Sequence, residues 1–172
     1  LETPVLAPDI LNSGVEFSIE EQTDGRSAVR FGLATVKNVG AAAVATFIES
    51  RKSTVNPVGT IEELCRMADM SGLTRKTLEC LVKSGAFDRF GDRGAILLSV
   101  NRIHSLSQSE AKLKQSDQAS MFDLFGESVP TPLAHIKFAE VKTPDGEKQE
   151  WEKELLGISF SGNKLLALMA SV

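Results

Sequence analysis

The sequence predicts a mainly α-helical chain: a tandem helix-hairpin-helix bundle, preceded by a small N-terminal β-hairpin and followed by an extended C-terminal linker. Three observations carry this. In LATVKNVGAAAVATFI, Leu33 to Ile48, apolar residues recur at helical spacing on both sides of a tight turn at Gly40. Apolar and polar residues alternate over Val15, Phe17 and Ile19, within the first thirty or so positions. Beyond Leu106 the composition turns polar, and Pro130, Pro132 and Pro144 follow.

Taken in order, residues 1–12 hold Pro4 and Pro8 in an extended lead. Val15, Phe17 and Ile19 then alternate with polar positions, and after a turn with Asp24 and Gly25 the chain returns over Ala28 to Phe31, which predicts a β-hairpin within 1–31. A helical domain over 32–106 comes next. Leu33 and Val36 lie before Gly40, and Val44, Phe47 and Ile48 behind it, so two helical pieces can pack across the turn. The second piece should fray near Glu49 to Ser53, ahead of a loop with Asn56, Pro57 and Gly59. Thr60 followed by Glu63 is a capping-box signal for a third helix with Ile61, Leu64, Cys65 and Ala68 on its apolar face. A fourth begins near Thr74, carries Leu78, Leu81 and Val82, and should stop at Gly85; LVKSGAF around that glycine reads as a second, degenerate hairpin. Asp92 can cap a fifth helix with the stripe Ile96, Leu97, Val100 and Ile103. Residues 107–146 read as an exposed linker or loop. In 147–172, a charged helix anchored by Trp151, Leu155 and Leu156 should stop at Gly157, before a short strand and the start of a further region.

Composition narrows the function classes. No run is long and apolar enough to span a membrane, and Cys65 and Cys80 sit in apolar helical stretches without metal-ligand spacing, as reduced core thiols of a cytoplasmic protein would. His104 and His135 are isolated. The formal net charge of −4 is unevenly spread: residues 30–102 stand at +4 between flanks of −5 and −3. That suits modest, salt-sensitive contact with phosphates by the central region, and equally a solvated basic face.

The hairpin turn supplies chemistry. Backbone N–H groups around Val39, Gly40, Ala41 and Ala42 lie at a helix start with no intrahelical partner, an arrangement that attracts anions, and short side chains allow close approach. An ordinary tight connection between packed helices would look the same. In the linker, QASMFDLF (Gln118 to Phe125) places large apolar residues in a polar stretch, as a short docking motif or as a pin onto the chain's own core. Acidic residues are scattered, and Asp9, Asp88 and Asp123 read as caps or solvated groups, so no catalytic set is assigned.

Together these segments resemble the alpha (catalytic) subunit family of bacterial DNA polymerase III, over nearly the whole chain. They are VLAPDILNSGVEF (Val5 to Phe17), RFGLATVKNVG (Arg30 to Gly40), LTRKTLECLVKSGAFD (Leu73 to Asp88), QASMF (Gln118 to Phe122) and EWEKELLGISFSG (Glu150 to Gly162). Asn38 stands where the family usually has glycine, and Asn163-Lys164 where it usually has His-Pro. The resemblance implies a segment that closes the fingers, holds the duplex DNA backbone without reading bases, and docks on the sliding clamp (beta subunit), within the remainder of a polymerase chain. It implies DNA contacts from Lys37, Asn38, Val39, Gly40, Ala41, Ala42, Arg75, Lys76, Lys83, Ser84 and Gly85, and clamp contacts from Gln118, Ser120, Met121 and Phe122. The parent would be a magnesium-dependent nucleotidyltransferase, with no cofactor in this segment unless a monovalent cation sits at the hairpin. The other readings are a helix-hairpin-helix module of a DNA repair glycosylase or nuclease, which lacks a catalytic Lys or Asp just past the hairpin, and a structural interaction domain, which leaves the basic centre without use.

Overall fold

Three short strands open the computed structural model, which describes residues 3–52, 58–115 and 134–160. β2 (Ser18–Glu21) and β3 (Ser27–Arg30) pair antiparallel, as the alternation predicts, across a turn in which Gly25 takes φ +82°. The extended lead adds a strand that the sequence did not suggest. β1 (Val5–Leu6) joins parallel to β3, because the N–H groups of Val29 and Phe31 donate to the carbonyls of Pro4 and Leu6 at 2.9 and 3.0 Å. Its two residues are too few to announce themselves by alternation.

The first piece of the helical hairpin is shorter than expected, a single 3-10 turn over Leu33–Thr35. Two contacts stop it from growing. Gly32, just ahead, is pressed so close to the Glu16 backbone that a Cβ there would lie 2.3 Å from a carbonyl carbon, and behind it the Lys37 N–H leaves the turn to donate to Leu155 O at 3.0 Å. α1 (Ala41–Lys52) follows and buries Val44, Phe47 and Ile48. α2 (Ile61–Met67) is capped by Thr60, whose hydroxyl accepts the Glu63 N–H, while the Glu63 carboxylate reaches Gly59 N–H at 2.7 Å. α3 (Arg75–Ser84) begins at the Thr74 cap and ends at Gly85, in the left-handed conformation at φ +97°.

The fifth predicted helix is two. α4 (Arg93–Leu98) is capped by Asp92 and broken at Ser99, and α5 (Val100–Gln115) runs on from there. It continues well past Leu106, where a linker is expected, because the polar residues of that stretch have partners: Gln108 Nε2 donates to Ser71 O at 2.8 Å, and buried Glu110 pairs with Arg66 at 3.3 Å. Further along, Ile136 is buried and its N–H donates to the Glu62 carboxylate at 2.7 Å, and buried Thr143 donates from its N–H to Asp92 at 2.8 Å, so residues 134–144 are held to the bundle at both points. α6 (Asp145–Leu156) closes at Gly157, φ +79°. No strand follows over 158–160; the Phe160 N–H donates instead to Glu152 Oε2 at 2.8 Å. The loop at 53–57 and the motif at 118–125 lie outside the described residues.

The core sits where α1, α2, α3, α4 and α5 converge. Phe47, Leu64, Leu78, Leu81, Phe87, Ile96 and Ile103 are all essentially fully buried. No helix among the described residues is long and apolar enough to cross a membrane.

Candidate nucleic-acid interface

At the first turn, the backbone folds so that its apolar residues face in and its peptide faces out. Val36 and Val39 are buried, whereas Lys37, Asn38, Gly40, Ala41 and Ala42 are exposed. The residue that reverses the chain is Asn38 at φ +68°, not Gly40, and Asn is the non-glycine residue that tolerates this region best. Its side-chain amide approaches Cys80 Sγ at 3.9 Å, which ties the turn to α3. The Val39 N–H, one of the expected anion contacts, is turned inward to Val36 O at 3.2 Å. Those of Gly40, Ala41 and Ala42 have no acceptor among the described residues. A Cβ at Gly40 would meet nothing within 4 Å, so the glycine fills no steric need of the fold and leaves the helix start open.

A second helix start adjoins this one. The loop from α2 to α3 runs back along α1: Asp69 N–H donates to Ser50 Oγ at 2.8 Å, and a Cβ on Gly72 would come within 4.0 Å of the Ala43 Cβ. Hydrogen bonds from the Ser71 hydroxyl and then its backbone N–H hold the Asp69 carboxyl below its ordinary range. Thr74 then caps α3, and Arg75 and Lys76 stand exposed in its first turn, Arg75 within 3.1 Å of Glu79. Cations at the positive end of a helix oppose its dipole by up to about 1 kcal/mol each, a cost that a bound anion would offset. Neither α1 nor α3 has an acidic residue in its first turn, whereas α2 carries Glu62 and Glu63 there and α6 carries Asp145 and Glu147. Neither of the two neighbouring helix starts thus carries a carboxylate in its first turn, where one would repel phosphate most.

The second hairpin is built differently: Ser84 and Gly85, expected at the DNA face, lie in the interior. Both are buried; the Gly85 N–H goes to Val82 O at 3.1 Å, and the Ser84 hydroxyl to Leu81 O at 2.7 Å. Beneath the turn lies Arg93, 4% exposed, which donates to Lys83 O at 3.1 Å and pairs with Asp88 at 2.9 Å and with fully buried Glu152 at 2.8 Å. Burial presses the Arg93 guanidinium down, but Asp88 and Glu152 outweigh it and raise its pKa. Lys83 lies with its ammonium 5.6 Å from the centre of the Trp151 ring. These groups hold α3 to α4 and α6. They also lie at the far end of α3, about 15 Å from Arg75 at 1.5 Å per residue.

The structure therefore brings Lys37, Asn38, Gly40, Ala41, Ala42, Arg75 and Lys76 onto neighbouring elements, buries Val39, Ser84 and Gly85, and leaves Lys83 half-buried against Trp151. The Arg93–Glu152 pair went unnoticed in the sequence, where two charged residues so far apart carry no mutual signal.

Among the described residues, no three or more His, Cys, Asp or Glu side chains come together to hold a metal ion. A monovalent cation at the first turn would depend on backbone carbonyls, of which those of Val36 and Gly40 already accept from Val39 and Val44. Each carbonyl keeps a second lone pair, and the N–H groups of Gly40, Ala41 and Ala42 are open to an anion with or without such a cation.

The helix-hairpin-helix motif family matches residues 2–97. The DNA polymerase III subunit alpha of Campylobacter jejuni is 34% identical over 93% of this chain and 13% of its own length. That of Thermus aquaticus is 31% identical over 96% of the chain and 12% of its own length, and that of Halalkalibacterium halodurans 32% over 98% and 14%. The chain thus spans about an eighth of the relatives it matches.

Proposed function

The chain belongs to the helix-hairpin-helix family, in the form found in DNA polymerase III alpha subunits, and from that premise we propose that it is the part of a replicative polymerase that holds duplex DNA by its backbone. The observation that carries this reading is the pairing of two helix starts with no carboxylate in their first turns, with the open N–H groups of Gly40, Ala41 and Ala42 on one and Arg75 and Lys76 on the other. Peptide N–H groups and basic side chains contact phosphate oxygens, which are alike at every base pair, so the grip is blind to sequence. Lys37, exposed at the turn, adds a further charge. Nucleotidyl transfer with magnesium belongs, in this reading, to other parts of the parent polypeptide.

Fluorescence anisotropy with unrelated duplexes at two salt concentrations tests it. Similar affinity for each duplex and a loss on adding salt are expected, and the joint change Arg75→Ala with Lys76→Ala should lower the slope of log K against log salt by about 2. Binding indifferent to salt would sink the proposal.

We further propose that Gln118, Ser120, Met121 and Phe122 dock on the polymerase's sliding clamp, the glutamine at the rim of a pocket and the Met-Phe pair within it. The support is the resemblance of QASMF to the family's internal motif. A peptide spanning Lys114 to Glu127 should bind the clamp and lose that binding when Met121 and Phe122 are both replaced by Ala; unchanged affinity would assign them to the chain's own core.

A further inference from the structure

The N-terminal sheet is built inside out. In β2 the polar residues Ser18 and Glu20 are the more buried ones, Glu20 holding Arg30 at 2.9 Å, while Ile19 is 77% exposed. Register places Val5, Val29 and Ile19 side by side across the three strands, hence on one face. Phe17, two residues before Ile19 and 52% exposed, extends that row, and Val5 at its other edge is 39% exposed. Phe17 packs edge-on against Phe31 at 4.6 Å, and Phe31 in turn against Phe160 at 5.7 Å. Burying Ile19 instead would stabilise the chain by about 2 kcal/mol, so turning the apolar face of a sheet outward is costly unless something else covers it.

We propose that this face is the seam along which the segment packs onto the remaining polypeptide of its alpha subunit, against an apolar surface rimmed by Lys or Arg. The proposal rests on the family reading given above. Three observations select this occupant. The relatives carry roughly seven times more chain than this segment supplies, and a tethered surface is present at high effective concentration. Both ends of the described chain come to this face, through Val5 of β1 and through Phe160 on Phe31. Residues 1–29 carry a net charge of −5, with Glu16 and Glu21 exposed beside the row, so a two-fold contact between identical copies would set acidic rims against each other.

Hydroxyl-radical footprinting of the full-length alpha subunit containing this segment tests the seam, with Leu98, 69% exposed, and Leu113, 42% exposed, as internal references. The expected result is that Ile19 and Phe17 are labelled about fivefold or more below what their exposure in this segment calls for, as in the desolvated centre of an interface, and that this protection is unchanged on dilution. Labelling in proportion to exposure would overturn the proposal. Protection that vanishes on dilution would also overturn it, by assigning the face to self-association. Footprinting reads packing and anisotropy reads DNA, so the seam and the phosphate grip fail separately.

Discussion

Two turns in this molecule share a plan and differ in what they leave open. Each reverses the chain through a left-handed residue, Asn38 at φ +68° in one and Gly85 at φ +97° in the other, and each is linked to α3. At Asn38 the apolar side chains turn in and the peptide N–H groups beyond it turn out. At Gly85 the N–H groups are spent on the last carbonyls of α3, and an arginine fills the space where a ligand would come. The difference teaches that a helical hairpin has donors to offer a phosphate only where they are left over from the fold; the same turn with satisfied donors is a joint.

The comparison breaks most visibly at the joint. Glu152→Ala leaves the Arg93 charge buried with one partner fewer, and a loss of about 3–5 kcal/mol in unfolding free energy is expected. Urea denaturation measures it, and a loss below 1 kcal/mol would mean that the pair holds little. Gly85→Ala should cost at least about 1–2 kcal/mol from its backbone angle alone, because a Cβ there would also lie 2.7 Å from Arg93 Nη2. The fraction that stays folded should keep its duplex affinity. Lys83→Ala sharpens the contrast on a smaller scale: losing the Trp151 contact should cost about 0.5–1 kcal/mol of stability, while anisotropy finds duplex binding unmoved. A matching loss of affinity would return Lys83 to the DNA face.

Acid should loosen the joint as well. Burial pushes the Asp92 carboxyl up, but the hydrogen bonds it accepts from the Thr143 hydroxyl, and then from the backbone of Thr143, Ala95 and Gly94, outweigh that and hold it below the ordinary carboxylate range. A lowered pKa means that the unfolded chain binds the proton first, so this stability is present at neutral pH and is lost as the pH falls below about 4. Thr143→Val should therefore flatten the decline of the thermal midpoint between neutral and acid pH.

Much of the fold is legible in the sequence because local rules and tertiary packing agree: Thr60, Thr74 and Asp92 cap helices, Gly85 and Gly157 end them, and the stripes of α1 and α3 are core. Where reading fails, a distant partner decides. β1 exists through β3, the end of α5 through Arg66 and Ser71, and the stunted first piece of the hairpin through Glu16 and Leu155. Phe17 and Ile19 alternate correctly but face outward, and alternation alone does not say which side of a sheet is covered. At the candidate site, the open helix start at Gly40 to Ala42 could be located from the Gly-Ala-Ala-Ala run, whereas the burial of Ser84 and Gly85 depends on Arg93, a partner no spacing rule supplies.

Gly40→Asp tests the central claim most directly, because it separates fold from grip. With open space at that position, an aspartate can cap α1 and should leave stability equal or a few tenths of a kcal/mol higher, while its carboxylate takes up the N–H groups and repels phosphate. Duplex anisotropy at low salt should then show affinity lowered about tenfold, about 1.4 kcal/mol. Undiminished affinity in a folded Gly40→Asp chain would contradict the assignment of the α1 start as the phosphate clasp.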